Sequence, residues 1–187
     1  MSLTAYKKKR KFDETPEPGA TLRKGNKQLS FVVQRHKASR LHYDFRVEMN
    51  GVLKSWAVPK GPSMNPDDKR LAMEVEDHPY EYKDFKGVIP EGNYGAGIVE
   101  IWDKGTYTAL TDDKGADQEK LLKAGLKKGD LKFVLKGKKL KGEFVLVHIK
   151  NRFGGKENTW LLIKHRDKYA VDDYDSEKET TKSSPIN

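Results

Sequence analysis

From Leu41 to Met49 the chain alternates without a break. Leu41, Tyr43, Phe45, Val47 and Met49 fall on one parity, and His42, Asp44, Arg46 and Glu48 on the other. A period of two puts successive side chains on opposite faces of a β-strand. One face is therefore apolar, and the other carries an imidazole, two carboxylates and a guanidinium, roughly 6.5–7 Å apart along the strand. Asn50-Gly51 supplies the positive-φ pair of a tight hairpin turn, and Val52 to Val58 returns as the partner strand. A chain built on such a ribbon is held to an antiparallel β architecture. His36 lies just before the strand, close enough to join His42 and Asp44 as a third ligand. Taken singly, His42 and Asp44 read as solvated residues of an outer face. Two histidines, an aspartate and an arginine converging on one face read as a site.

The remaining segments fit the same architecture. Ser30 to Gln34 is a short strand leading into His36, and Pro59-Lys-Gly-Pro-Ser63 is a rigid turn presenting Lys60 at a strand end. Arg70 to Glu76 alternates again, with Leu71, Met73 and Val75 on one parity. Arg70, Glu74, Glu76 and His78 share the other, so a second strand is expected to bring the same polar kit to the same face. Pro79 ends it and Tyr82 follows. The glycine-rich stretch Ile89 to Gly97 leads into a strand, Ile98 to Trp102, and not into a helix. That order excludes a nucleotide P-loop or a dinucleotide fingerprint.

Asp103-Lys-Gly105 reads as a hairpin turn into Thr106 to Leu110, and Ala116 to Gly125 as the one convincing helix. Leu131 to Leu135, Gly142 to Ile149 and Thr159 to Lys164 are further strands. His148 and His165 belong to no polar cluster and read as structural. The count predicts a mainly β fold, an antiparallel barrel or two-sheet sandwich with one or two short helices, whose first strands line a cleft with their polar face.

Three regions are expected: a basic arm over 1–28, a barrel domain over 29–168, and a disordered tail over 169–187. The arm holds Lys7-Lys-Lys-Arg-Lys11 and two prolines, so it is predicted extended and not helical. It reads equally as a solubilising tail or as a segment lying across phosphates. The net charge of +9 favours a polyanionic partner, nucleic acid first. With no cysteine in 187 residues, disulfides, zinc fingers and cysteine nucleophiles are excluded. No apolar run approaches the ~18 residues of a membrane span and no signal peptide precedes the basic start, so a cytoplasmic protein without a membrane partner is expected.

Two neutral imidazoles and a carboxylate suit Mn²⁺, Zn²⁺ or Fe²⁺ better than the all-oxygen shells of Mg²⁺ or Ca²⁺. Three ligands leave positions open for substrate. The Arg46 fork suits a phosphate, with Lys60 and Arg70 adding charge from neighbouring strands. His78 is then available as a general acid or donor and Tyr82 as a hydroxyl donor. The assembly describes metal-assisted attack on a phosphate ester. Two other readings stay open: a non-catalytic nucleic-acid-binding barrel, and a non-haem Fe(II) oxygenase built on His42-x-Asp44.

Phe31-Val-Val-Gln-x-His36-x-Ala-Ser-Arg-Leu-His42-Tyr-Asp-Phe-Arg46, Trp56-Ala-Val-Pro-Lys-Gly-Pro-Ser63, Glu76-Asp-His-Pro79, Ile89-Pro-Glu-Gly-x-Tyr-Gly-Ala-Gly97 and Trp160-Leu-Leu-Ile-Lys164 together resemble the 3′-phosphoesterase domain of bacterial ligase D. The resemblance spans roughly residues 6–168. It implies an eight-stranded β-barrel with an Mn²⁺-dependent site, with Zn²⁺ or Co²⁺ as possible substitutes. The implied activity removes a 3′-terminal ribonucleoside from a primer–template and then hydrolyses the remaining 3′-phosphate to a 3′-hydroxyl, in non-homologous end joining.

By the same resemblance, His36, His42 and Asp44 hold the metal, and Arg46, Lys60, Arg70 and His78 contact phosphate. Arg46, His78 and Tyr82 are the catalytic groups. Arg10, Glu17 and Glu76 serve the diester step; Lys11 departs from the pattern, standing where the family carries an acid. There is no Lys-x-Asp-Gly nucleotidyl-transfer motif, so end sealing is expected to fall to a separate DNA ligase, alongside a polymerase and a Ku-type end-binding protein.

Overall fold

The strand Leu29–Lys37 (β1) is hydrogen-bonded along both edges, to Leu41–Met49 (β2) on one side and Gly97–Ala109 (β6) on the other. That double pairing closes the sheet. From β2 it runs through β3 (Val52–Val58), β4 (Arg70–Pro79), β9 (Thr159–Lys164), β8 (Lys141–His148) and β7 (Asp130–Gly137) to β6 and back to β1. The result is an antiparallel eight-stranded barrel, as expected. A short strand, β5 (Gly87–Ile89), pairs with the start of β6 outside the ring. This is a computed structural model that describes residues 1–22, 28–150 and 157–186. The expectations for arm residues 23–27, for the turn at 151–156 and for residue 187 lie outside the described residues.

The β2–β3 hairpin turns on Asn50 (φ 52°) and Gly51 (φ 79°), as the Asn-Gly pair predicts. Tyr43, Phe45, Val47 and Met49 point into the barrel, where they join Phe31, Val33, Trp56, Phe133, Phe144 and Trp160 in one contiguous apolar core. Each large side chain so buried contributes about 1.5–3 kcal/mol. The polar parity of β2 faces the outside of the barrel. A second, smaller apolar cluster (Leu3, Tyr6, Leu53, Tyr80, Tyr82, Phe85, Ile89 and Val99) roofs that outer face.

The helix α2 (Gln118–Lys128) is capped by the Asp117 carboxylate accepting from Lys120 N, and is ended by Gly129 in the left-handed region. It runs three residues past the expected Gly125. Among the described residues no helix is long and apolar enough to cross a membrane.

Five expectations are corrected. The first strand does not stop at Gln34, leaving His36 in the connection before β2: β1 extends to Lys37 and includes His36, because neighbours on both edges pair it throughout. Asp103-Lys-Gly105 is not a hairpin turn but part of the continuous strand β6, paired in register with Val33, Val32 and Phe31 of β1; the irregularity between the two strands falls just before it, at Trp102. The Asp103 carboxylate is buried there and accepts from the backbone of Lys138, Lys139 and Leu140, fixing the β7–β8 turn. At Gly105 a Cβ would lie 2.1 Å from the Lys136 carbonyl oxygen, so the close approach demands glycine.

The arm is not wholly extended, since Thr4–Lys8 forms a short helix (α1) with Tyr6 fully buried against the barrel. Its prolines come later, at 16 and 18, and do not oppose it. Residues 169–186 are mostly exposed but do not run free, being pinned to the barrel at a few points. Ser176 donates to the Pro62 carbonyl, Glu177 pairs with Arg35, and Ile186 is buried.

The fifth correction concerns β4, whose polar residues do not share one face. Its pairing with β3 slips by one residue, with Ser55 opposite Val75 but Leu53 opposite His78. The bulge reverses the parity. Met73 and Val75 pair with Ala57 and Ser55, the residues that flank Asp44 and Arg46 on the outer face. Arg70 instead shares its parity with Ala72, which lies in the barrel core. Only beyond the slip does His78 emerge on the outer face.

Candidate metal and phosphate site

His36 and His42 are direct cross-strand partners on β1 and β2, with ring centroids 4.8 Å apart, and Asp44 is the next outward residue along β2. Asp44 Oδ2 lies 3.5 Å from His36 Nδ1, and Oδ1 lies 3.5 Å from His42 Nε2. The three ligand atoms fall within 4.8 Å of one another, the only such trio among the described residues. Ligands about 2.1 Å from one cation stand roughly 3–3.5 Å apart, which the two Asp44–imidazole separations of 3.5 Å match.

Both tautomers are fixed from behind. His36 Nε2–H donates to the Gly95 carbonyl at 2.8 Å, and His42 Nδ1–H donates to the Arg40 carbonyl at 3.0 Å. The lone pairs of His36 Nδ1 and His42 Nε2 are thereby turned toward the carboxylate, as metal-bound histidines require. Two lone pairs facing an anion repel unless a proton or a cation sits between them. Burial works against charging His42, but the Asp44 carboxylate outweighs it and the ring is held above its ordinary pKa. Burial likewise opposes ionisation of Asp44, yet the Arg46 guanidinium and the two imidazoles hold it well below the usual carboxylate range. The donor set fits a divalent transition metal.

Arg46 is buried beside the trio. Nη2 reaches Asp44 Oδ2 at 3.1 Å, and Nε donates to Gln34 Oε1 at 2.7 Å. Its guanidinium lies 4.9 Å from the Tyr82 ring centroid. Nη1 is buried with no hydrogen-bond partner among the described residues. Gln34 is itself clamped, its amide donating to the Tyr82 and Phe85 carbonyls at 2.7 and 2.9 Å. The fork is thus aimed by β1 and by the 3-10 turn Tyr80–Asp84, with one donor unused.

The arm closes the other side. Arg10 donates to Glu17 at 2.8 Å, to Glu76 at 3.0 Å and to His78 Nε2 at 3.1 Å, with its guanidinium 4.0 Å from the Tyr6 ring centroid. His78 Nδ1–H is spent on the Glu76 carbonyl at 2.9 Å, which makes Nε2 an acceptor. Burial, followed by the Arg46 and Arg10 charges, holds its pKa well below the ordinary value. In this arrangement His78 accepts, and it can donate to a phosphate only after the Arg10 contact opens and Nε2 takes up a proton. The Tyr82 hydroxyl donates to Glu17 Oε1 at 2.8 Å, and burial lifts its pKa well above normal, so it stays protonated.

The trio lines a single cavity of about 260 Å³ together with Arg10, Glu17, Arg46, Glu76, His78 and Tyr82. Lys60 and Arg70 are not among its lining residues. Lys60 is exposed in the turn after β3, and Arg70 pairs with Asp68 at 3.2 Å on the core-side parity of β4. Sequence reasoning missed Gln34, although a lone amide after Phe31-Val-Val was a usable signal. It also missed the Gly95 and Arg40 carbonyls, for which residue type carries no signal.

A family model described as the DNA ligase D 3′-phosphoesterase domain matches residues 34–148. The multifunctional non-homologous end joining protein LigD of Pseudomonas aeruginosa is 49% identical over 183 residues, covering 95% of this chain and 20% of that protein. Its namesake from Mycolicibacterium smegmatis is 39% identical over 166 residues, covering 88% of this chain and 21% of the relative. The corresponding DNA repair protein of Mycobacterium tuberculosis is 52% identical over 109 residues, 56% of this chain and 14% of its own length. The chain therefore spans roughly a fifth of the first two relatives. Matched over more than half its length by that model, and over nearly all of it by the Pseudomonas protein, the chain belongs to the DNA ligase D 3′-phosphoesterase domain family.

Proposed function

We propose that the chain is a metal-dependent phosphoesterase that heals DNA 3′ ends during non-homologous end joining, with Mn²⁺ as its metal. It cleaves a 3′-terminal ribonucleoside from a primer–template and hydrolyses the remaining 3′-phosphate to a 3′-hydroxyl. The observation that carries this reading is the meeting of two tautomer-fixed imidazoles and Asp44 with the unpartnered Nη1 of Arg46. When bound by His36, His42 and Asp44, the metal supplies Lewis acidity toward a phosphoryl oxygen.

The chain's own groups do the rest. Arg46 Nη1 takes an equatorial phosphate oxygen without giving up its bonds to Asp44 and Gln34, so its donors are already aimed where charge develops. Tyr82 offers a hydroxyl that burial keeps protonated. Arg10 exchanges its contact with His78 for the ester, freeing the imidazole to accept a proton from the attacking water; once so protonated, Nε2 can donate to the leaving oxygen. Glu17 and Glu76 hold Arg10 in place, and this reading gives the three residues to the diester step, where a second nucleoside must be gripped. Lys60 and Arg70, away from the cavity walls, are assigned to more distant phosphates of the strand.

The test is release of inorganic phosphate from a 3′-phosphorylated primer–template with Mn²⁺ and with EDTA. Metal-dependent release is expected. Binding without any release under either condition would leave only the nucleic-acid-binding reading, and 2-oxo-acid turnover with Fe²⁺ and O₂ would favour the oxygenase.

A further inference from the structure

Two tyrosines line the cavity, and they are used differently. Tyr82 is 2% exposed, with its hydroxyl on Glu17 and its ring beneath Arg46. Tyr94 is 48% exposed at the cavity wall. It stands in the glycine-rich loop between Gly92 (φ 85°) and Gly95 (φ 77°), both in the left-handed region that frees a loop to turn tightly around one projecting side chain. The next residue, Gly95, gives the carbonyl that orients His36. The ring is therefore tied through a single peptide to a metal-ligating histidine.

Cations gather at the same ring. Lys9 Nζ lies 4.7 Å from its centroid and donates to its hydroxyl at 3.3 Å, and the Arg10 guanidinium carbon lies 5.5 Å away. A half-exposed aromatic face flanked by cations, at the mouth of a phosphate-sized cleft, is the arrangement that holds a nucleotide by base stacking and phosphate pairing together.

We propose that Tyr94 is the platform on which the terminal nucleobase of the bound strand stacks, fixing the register of the scissile phosphoester against Arg46. The inference rests on the phosphoester reading of the cavity and adds the base-binding subsite. Every nucleobase presents a π face, so such a platform tolerates any terminal base, which suits processing of ends of arbitrary sequence.

The experiment uses a primer–template with 2-aminopurine as its terminal base, a purine analogue whose emission falls when it stacks. A 3′-hydroxyl version, which carries no phosphate to release, is titrated with the full chain, and binding is followed separately by anisotropy. Quenching on binding is expected for the native protein and for Tyr94→Phe, and little quenching for Tyr94→Leu. With 3′-phosphorylated strands, Tyr94→Leu should raise KM roughly ten- to a hundredfold when the terminal nucleotide carries a base. The increase should be far smaller when that nucleotide is abasic, and kcat should change less than KM.

A bound strand without quenching in the native protein would overturn the proposal. So would an equal rise in KM on base-bearing and abasic ends, which would make Tyr94 only a support for Lys9 and Gly95. If the native protein binds and quenches but releases no phosphate, the phosphoesterase reading fails and the stacking platform stands.

Discussion

Arg35 and Arg46 sit on neighbouring strands with side chains equally buried, 4% exposed each, yet they are satisfied in opposite ways. Arg35 shares the core-side parity of β1. Its Nε and Nη2 reach Glu177 at 3.0 and 2.6 Å, and Nη1 reaches Glu100 and Ser184 at 3.1 Å each. Two carboxylates saturate one guanidinium and tie residues of the tail to the barrel. Arg46, on the outer face, has one carboxylate and one amide, and keeps a buried Nη1 with nothing to bond among the described residues. A saturated buried cation is a fastener. A buried cation left one donor short carries a desolvation cost that a ligand oxygen removes.

The largest effect expected from this contrast is at Arg46. Arg46→Lys should lower kcat on a 3′-phosphate by about 10²–10³, the range for losing one preorganised donor to developing charge. A point charge cannot hold Asp44, Gln34 and a phosphate oxygen at once. Thermal unfolding should move little. Retention of near-normal turnover would show that the orphan donor is not aimed at substrate.

Arg35→Ala should do the reverse. It leaves Glu177 with only its Tyr43 contact and Glu100 with Ser184, and so loosens the tail, at a cost of about 1–3 kcal/mol in chemical denaturation, while turnover per folded molecule stays within about twofold of native. Arg10 tests the intermediate case, being saturated like Arg35 but within the cleft like Arg46. Arg10→Ala should cost roughly tenfold more on a diester than on a terminal phosphate, the worth of one charge-assisted hydrogen bond. Equal losses on the two substrates would remove the arm from the diester step.

How much of this was visible in the residues follows from what periodicity records. The strict alternation of β2 fixed which side chains face outward, because one apolar parity must be buried whatever the rest of the chain does. His42, Asp44 and Arg46 were therefore legible, and His36 followed from its proximity. Alternation on β4 misled, because a bulge adds a residue without leaving a mark in hydrophobicity, and the parity of Arg70 and Glu74 reversed against that of His78. Asp103-Lys-Gly105 carries turn residues for a different reason: a carboxylate that caps another turn, and a glycine pressed against a carbonyl.

Composition likewise misjudged both ends of the chain, since a few anchors suffice to order a polar segment. Tyr6 does so for the arm, and Glu177 with Ser176 for the tail. The Gly95 and Arg40 carbonyls that set the histidine tautomers are backbone atoms, common to every residue type, and only coordinates reveal them.

The smallest expected effect concerns pH and isolates His78 from the arginines around it. Its folded pKa is depressed, so below the ordinary histidine value of about 6.5 the unfolded chain binds a proton that the folded chain refuses. Stability must then fall as pH drops below that value, by at most about 1.4 kcal/mol per pH unit, until the folded pKa is reached. The depressed carboxyls of Asp44, Glu76 and Glu177 act in a separate, lower window. They contribute stability above the ordinary carboxylate range and lose it only as pH falls through their folded values. His42 shifts upward and so acts on the alkaline side of 6.5.

Between pH 6.5 and 5, therefore, His78 supplies a slope that these other groups do not. In the presence of chelator, His78→Asn should flatten the dependence of unfolding free energy on pH across that interval. An unaltered slope would mean that the imidazole is protonated in the folded protein. Its Nε2 would then be a donor, Arg10 could not rest against it, and the contrast between a cleft primed by an acceptor and a barrel end fastened by carboxylates would lose its acceptor.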